Sequence, residues 1–247
     1  MKKMMITWTT ALLICSTALG NTEGVTSPAG SWSLNESSGT VVKDISGNKL
    51  DGKYLNIDKI EWVDGPQGKA PYFKNTGAQV EARAMASVPL PEMLDLNKGF
   101  TLTAKVKTPK ELHRSRQYEI FNCSDTYSKG AGFRVYISWG MIYFISGNGE
   151  KSSFARSLPA NSPIRPDSWY NIATTFDGQN VKVYMDGELV AEAENVVFAP
   201  AKRKELRIGA TGSAAGSGYG FEGIICSTAL YARSLSEVEI ADLCHEE

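Results

Sequence analysis

The chain has 247 residues, 42% of them hydrophobic and 21% charged, and a formal net charge of −1. This is ordinary globular composition and not that of a disordered or fibrous chain. Its near-neutrality leaves no electrostatic case for nucleic acid or an anionic membrane as partner. From Gly20 onward no apolar run approaches the roughly 18 residues of a membrane-spanning helix.

Taken in chain order, the first segment stands apart. Lys2 and Lys3 precede a largely apolar stretch, Met4 to Ile14, and Ala18 and Gly20 place small residues where a signal peptidase reads. The expectation is a signal peptide over residues 1–20, cleaved after Gly20. A short lead-in over 21–30 and one domain over 31–247 would follow, in a protein that is secreted, periplasmic or at the cell surface. A membrane anchor is the alternative, against which the shortness of the run argues. Lipid attachment at Cys15 is another, against which Ile14 argues, since lipoprotein signals carry a small residue there. Cleavage leaves Cys123, Cys226 and Cys244, an odd number with every pairing open. None sits in a Cys-x-x-Cys spacing, which disfavours zinc or redox chemistry.

The rest has the texture of a β protein, with short alternating runs punctuated by turn residues. In Phe100 to Lys107, Leu102, Ala104 and Val106 point one way and Thr101, Thr103 and Lys105 the other, as in a half-buried strand. Phe133 to Ser138 and Met141 to Ser146 form a hairpin about Trp139-Gly140. Asp177-Gly178 and Asp186-Gly187 punctuate a meander of three further strands. Glycines crowd the stretch from Gly209 to Gly223, which reads as a rim connection or as a ligand-facing loop presenting Tyr219. Ser236-Glu237-Val238-Glu239 is a capping box opening a short C-terminal helix. Trp32, Trp62 and Trp169 are expected in the core or at its edge, Trp169 largely buried.

Seven stretches together carry a resemblance: Trp32 to Glu36, Asp44-Ile45-Ser46-Gly47-Asn48, Phe100 to Ala104, Trp169 to Ala173, Val183 to Gly187, Leu206 to Gly209 and Tyr231 to Ser236. In this order they resemble the laminin-G-like, concanavalin A-like jelly-roll domains of secreted proteins, here of a bacterial type, over roughly residues 30 to 243. The resemblance implies an all-β, two-sheet antiparallel sandwich with a short C-terminal helix. It implies much less about function, because the fold hosts lectins, hydrolases, lyases and adhesion modules. In several relatives a structural calcium sits near the Asp-x-Ser-Gly-Asn turn, with help from the last strand. Asp44 and Asn48 would supply ligands here, but Cys226 and Ser227 stand where many relatives carry Asp-Glu, and calcium wants six to eight oxygens, several of them carboxylate. The alternative is that Asp44 and Ser46 simply hydrogen-bond a turn.

Catalysis on glycans needs paired carboxylates at set separation. The Glu-x-Asp-x-x-Glu strand of the glucanases with this fold is missing. So is the Gln-x-His strand of its alginate lyases, and Tyr72-Phe73-Lys74 lies in the wrong half of the chain for the lyase Tyr-Phe-Lys stretch. The only histidines, His113 and His245, lie in a charged loop and in the tail, without the spacing of a metal site or triad. No catalytic residues are assigned. Binding is better supported. Sugar recognition joins an aromatic face to planar polar groups. Arg134 and Tyr136 alternate away from the apolar Phe133, Val135 and Ile137, Tyr143 away from Ile142 and Phe144, and Trp139 sits on the turn. Arg134, Tyr136, Trp139, Tyr143 and Tyr219 are the candidate ligand-binding residues. The leading expectation is a non-catalytic carbohydrate- or matrix-binding module acting on an extracellular or cell-surface glycan. The alternatives are a glycan-active hydrolase or lyase and an adhesion or structural module with a protein partner.

Overall fold

The computed structural model describes residues 27–126, 129–158, 163–211 and 219–245. The expected leader, its cleavage site and Cys15 lie outside the described residues. Two antiparallel eight-stranded sheets face each other. Across the first run β14 (Glu188–Ala193), β13 (Val181–Met185), β12 (Trp169–Phe176), β7 (Phe100–Lys107), β16 (Glu222–Tyr231), β5 (Gly68–Lys74) and β4 (Ile60–Gly65), with β1 (Gly30–Trp32) also on β16. Across the second run β11 (Ser152–Arg156), β10 (Met141–Gly147), β9 (Gly132–Ser138), β8 (Tyr118–Ser124), β15 (Glu205–Ile208), β6 (Met85–Pro89), β3 (Gly52–Leu55) and β2 (Val41–Val42).

The alternation in the sequence decides which faces meet. Phe100, Leu102, Ala104 and Val106 of β7 and Phe133, Val135 and Ile137 of β9 are all buried in one core. Phe100 stacks on Phe133 across the two sheets at 4.6 Å between ring centroids, and Phe176 and Phe198 close around them. Trp32 is fully buried, its indole N–H donating to the Leu50 carbonyl at 2.9 Å. Trp169 departs from expectation. It is only half-buried and packs outside the main core, against the cluster of Ala70, Ile224 and Cys226. As the first residue of β12, opposite Lys107, it points to the outer face of the first sheet.

The capping box closes the N-terminus of α1 (Glu237–His245): the Ser236 N–H donates to Glu239 Oε2 at 2.9 Å, and the Glu239 N–H to Ser236 Oγ at 3.3 Å. Leu235 and Ile240 then pack on Ala173, Tyr184, Ala229 and Tyr231, so the helix covers part of the first sheet's outer face. Among the described residues no helix is long and apolar enough to cross a membrane. Cys123 and Cys226 are buried and Cys244 is half-buried. Burial pushes the Cys123 thiol up to about 12, where it is unreactive.

Candidate functional site

The outer face of the second sheet carries the candidate residues. Antiparallel pairing sets Glu119, Tyr136, Tyr143 and Arg156 side by side on β8, β9, β10 and β11, and Arg207, Asn122, Arg134, Ile145 and Phe154 in the next row. One irregularity makes this possible. The register shifts between Glu119 and Phe121, so Ile120 is an extra residue in β8. The bulge lets Glu119 and Asn122, three apart, share a face that strict alternation would deny them.

Arg134 is 2% exposed and Glu119 fully buried. The guanidinium is bidentate on the carboxylate, Nε donating to Oε1 at 2.8 Å and Nη2 to Oε2 at 2.5 Å. Nη2 also donates to Gln117 Oε1 at 2.8 Å, and the Asn122 amide to Glu119 Oε1 at 3.1 Å. A stack is built on this pair. The Arg134 guanidinium lies 4.9 Å from the Tyr136 ring centroid, and Tyr136 lies parallel to Tyr143 with centroids 5.0 Å apart. On the other side Tyr219 sits between two guanidinium groups, 5.8 Å from that of Arg134 and 5.9 Å from that of the fully buried Arg83. The ends of the glycine-rich segment are tied down here. Tyr219 bridges to Gln117 and Gly220 to Ala210, while Arg83 Nη1 donates to the Thr211 carbonyl at 3.2 Å.

Arg134, Tyr136, Tyr143 and Tyr219 therefore meet in one stack, Trp139 lies on the turn that ends the same hairpin, and the five divide by exposure. Arg134 and Tyr136 face outward as the alternation requires, yet they are covered by their neighbours and cannot present a surface. Tyr143 and Tyr219 are half-exposed, and Trp139 is 55% exposed. Trp139 has φ +53° and Gly140 φ +70°, both left-handed, so the hairpin turns through two left-handed residues. Such a turn favours Asn-Gly, and an indole at its first position has neither conformational nor burial benefit. The Trp139 N–H donates to the Arg114 carbonyl at 2.7 Å, docking the turn on the preceding loop.

Sequence reading missed Glu119 and Asn122, hidden by the bulge, and Arg83, which lies outside any regular alternation. It also missed Phe154 and Arg156 on the edge strand β11. Ser152-Ser153-Phe154-Ala155-Arg156 reads most simply with Phe154 inside, but Ala155 is the buried residue and Phe154 is 59% exposed. The other carboxylate on this face, Glu205, accepts from Ser87 Oγ at 2.7 Å and pairs with Arg207 at 2.7 Å and Arg203 at 2.9 Å. Burial pulls its acidity one way, but the Ser87 hydroxyl and the two guanidinium groups outweigh it and hold the carboxyl below its ordinary range. Glu119 and Glu205 thus each face arginine, an arrangement that holds charge in place.

The Asp44 turn lies elsewhere. Asp44 Oδ1 accepts from the Ser31 and Ser46 N–H groups, and Oδ2 from Ser46 Oγ and the Leu50 N–H, all within 3.1 Å. Partial burial works against the charge, but these four donors prevail and hold the carboxyl below its usual range. The Asn48 amide donates to the Ala29 carbonyl at 3.1 Å. Among the described residues no three His, Cys, Asp or Glu side chains gather as a metal would need. The carboxylate's lone pairs are satisfied by the chain itself, so chelator is expected to leave the melting temperature within about a degree of its starting value. Asp44→Ala is expected to lower it instead, by the loss of the four hydrogen bonds, each worth about 1 kcal/mol or somewhat more to a charged acceptor. A chelator-induced drop of many degrees, abolished by Asp44→Ala, would establish a calcium there.

A family model described as the concanavalin A-like lectin/glucanases superfamily matches residues 80–241. No curated protein sequence matches the chain. Among solved structures, similar folds include the binding domain of botulinum neurotoxin serotype D/C (TM-score 0.68, 14% identity, 89% of this chain, 52% of that one). The binding domain of Paraclostridial Mosquitocidal Protein 1 is also similar (TM-score 0.66, 15% identity, 89% and 52%). So is the serotype D ligand-binding domain in complex with N-acetylneuraminic acid (TM-score 0.63, 16% identity, 90% and 51%). The chain spans about half the length of these relatives, and the likeness is one of fold.

Proposed function

Because the chain belongs to the concanavalin A-like lectin/glucanase superfamily, we propose that it is an exported, non-catalytic carbohydrate-binding module. It reads glycans on the outer face of its second sheet, at the end formed by the β9–β10 hairpin and β11. The observation that carries this reading is Trp139. A large aromatic occupies a left-handed turn position and remains 55% exposed, against both local preference and burial, and such departures concentrate at functional positions. Beside it the half-exposed Tyr143 ring is backed by Tyr136, which is backed in turn by the Arg134–Glu119 pair. The ring is thereby held flat before any ligand arrives, which lowers the ordering cost of binding. Glycan and protein ligands both occur among the structural neighbours, with N-acetylneuraminic acid on one and rat synaptotagmin II on another. Exposed rings backed by a rigid stack suit the apolar side of a pyranose.

Trp139→Asn is the decisive variant, since Asn-Gly suits this turn. It is expected to melt at or above the parental temperature. It should also bind insoluble polysaccharide about two- to tenfold more weakly, the worth of one stacking contact. Binding equal to the parent would remove Trp139 from the site, and release of soluble sugar from the polymer would make the protein an enzyme. Capture of one surface protein without glycan binding would favour an adhesion role.

A further inference from the structure

We propose, resting on the glycan-binding reading above, that the ligand is an acidic polysaccharide. Its carboxylate or sulfate groups would be held by Arg114, Arg156 and Arg165 near the exposed rings of Trp139 and Phe154 and the half-exposed ring of Tyr143. The whole chain carries a net charge of −1, so a local excess of cations has to be built. Three exposed arginines surround the β9–β10 hairpin. Arg114 is tied to it because its carbonyl accepts the Trp139 N–H at 2.7 Å. Arg165 follows Ile164, whose N–H donates to the Gly140 carbonyl at 3.2 Å on the other side of the turn. Arg156 lies directly opposite Tyr143 on the neighbouring strand, on the same face.

Two of the nearby carboxylates are committed elsewhere. Glu119 is bidentate with Arg134, and Asp167, close in sequence to Arg165, pairs with Lys107 at 2.8 Å. Glu111 is the exposed acid of the nearby loop, and Lys110 and His113 flank it. None of the ion pairs among the described residues engages Arg114, Arg156 or Arg165. The contrast with Arg134 is informative. That guanidinium is buried, paired and structural, whereas these three are exposed and belong to the segments that adjoin the hairpin. Guanidinium groups offer paired N–H donors that match the oxygens of a carboxylate or sulfate. The rings extend from the hairpin tip to the edge strand β11, so the surface follows a chain-like ligand and not a single charge.

The test uses the full chain on insoluble or immobilised polygalacturonate, heparin, neutral galactan and neutral β-glucan, with phosphatidylserine vesicles as a further arm. The expected result is retention on one or both acidic polymers, with the responsive polymer identifying the anionic group. Retention should weaken as salt is raised, because these charges are exposed and screened. The Arg156→Gln/Arg165→Gln double variant is expected to lose about tenfold in affinity for the acidic polymer, at an unchanged melting temperature. Trp139→Asn should weaken binding while leaving the salt dependence in place. Equal, salt-insensitive binding of neutral polymers by the parent and the double variant would overturn the acidic assignment and leave the glycan reading standing. Failure on every polysaccharide would overturn both, and binding to vesicles alone would replace the polysaccharide with a lipid surface.

Discussion

Arg134→Met is expected to lower the free energy of unfolding by about 3–5 kcal/mol, because it strands a buried carboxylate without its partner. Glu119 is fully buried and meets Arg134 through two hydrogen bonds. Removing the guanidinium leaves the Asn122 amide at 3.1 Å and the charge of the buried Arg83 to face the carboxylate. The double variant Arg134→Met/Glu119→Leu is expected to recover most of the loss, since apolar residues of similar volume generally replace a buried ion pair at little cost. Urea melts of the three proteins check this. If Arg134 were instead a ligand-contacting residue with slack around it, the single variant would bind less and unfold at nearly the parental urea concentration. The outcome therefore decides whether Arg134 contacts a ligand or holds up the Tyr136–Tyr143 stack.

Trp32→Ala is the second large effect, expected at about 3–5 kcal/mol through the cavity left by the indole. Its N–H to the Leu50 carbonyl adds to this by leaving an acceptor unpaired. Trp169→Ala is expected to cost less, under about 2 kcal/mol, because half of the ring already faces water and the area lost from burial is correspondingly smaller. Comparing the two in one melt series tests the position of the core. Equal losses would mean that the outer cluster of Ala70, Ile224 and Cys226 holds the fold as firmly as the space between the sheets.

The difference between these tryptophans shows what sequence pattern can and cannot reach. The strands, their order in the meander, the hairpin about Trp139-Gly140 and the capping box were legible, because alternation, paired turn residues and a hydroxyl-to-carboxylate spacing are local signals. Face assignment followed wherever alternation was unbroken, as for Arg134, Tyr136 and Tyr143. Trp169 was expected in the core although it alternates with the core residues Tyr170 and Ile172, and alternation sends it to the outer face. Three quantities were out of reach. The bulge at Ile120 is a fact about pairing and leaves no mark in the run Tyr118 to Ser124. Exposure of an outward residue depends on what lies over it, so Arg134 and Tyr136 were correctly aimed and yet covered. The arginines around Trp139 come from three separate loops and strands, and only the folded chain brings them together.

The way the ends of the glycine-rich segment are anchored bears on how much sequence change the fold can absorb. The Ala210–Gly220 bridge, the Arg83 bond to the Thr211 carbonyl and the Tyr219 ring between two guanidinium groups hold both ends beside the candidate surface. Loop closure depends weakly on length, about 0.6 kcal/mol for each doubling. A cassette of different length or composition can therefore be grafted in place of residues 212–218 while the clamp and the sheets beneath it persist. Selection, or an engineer, could exchange that cassette without refolding the scaffold.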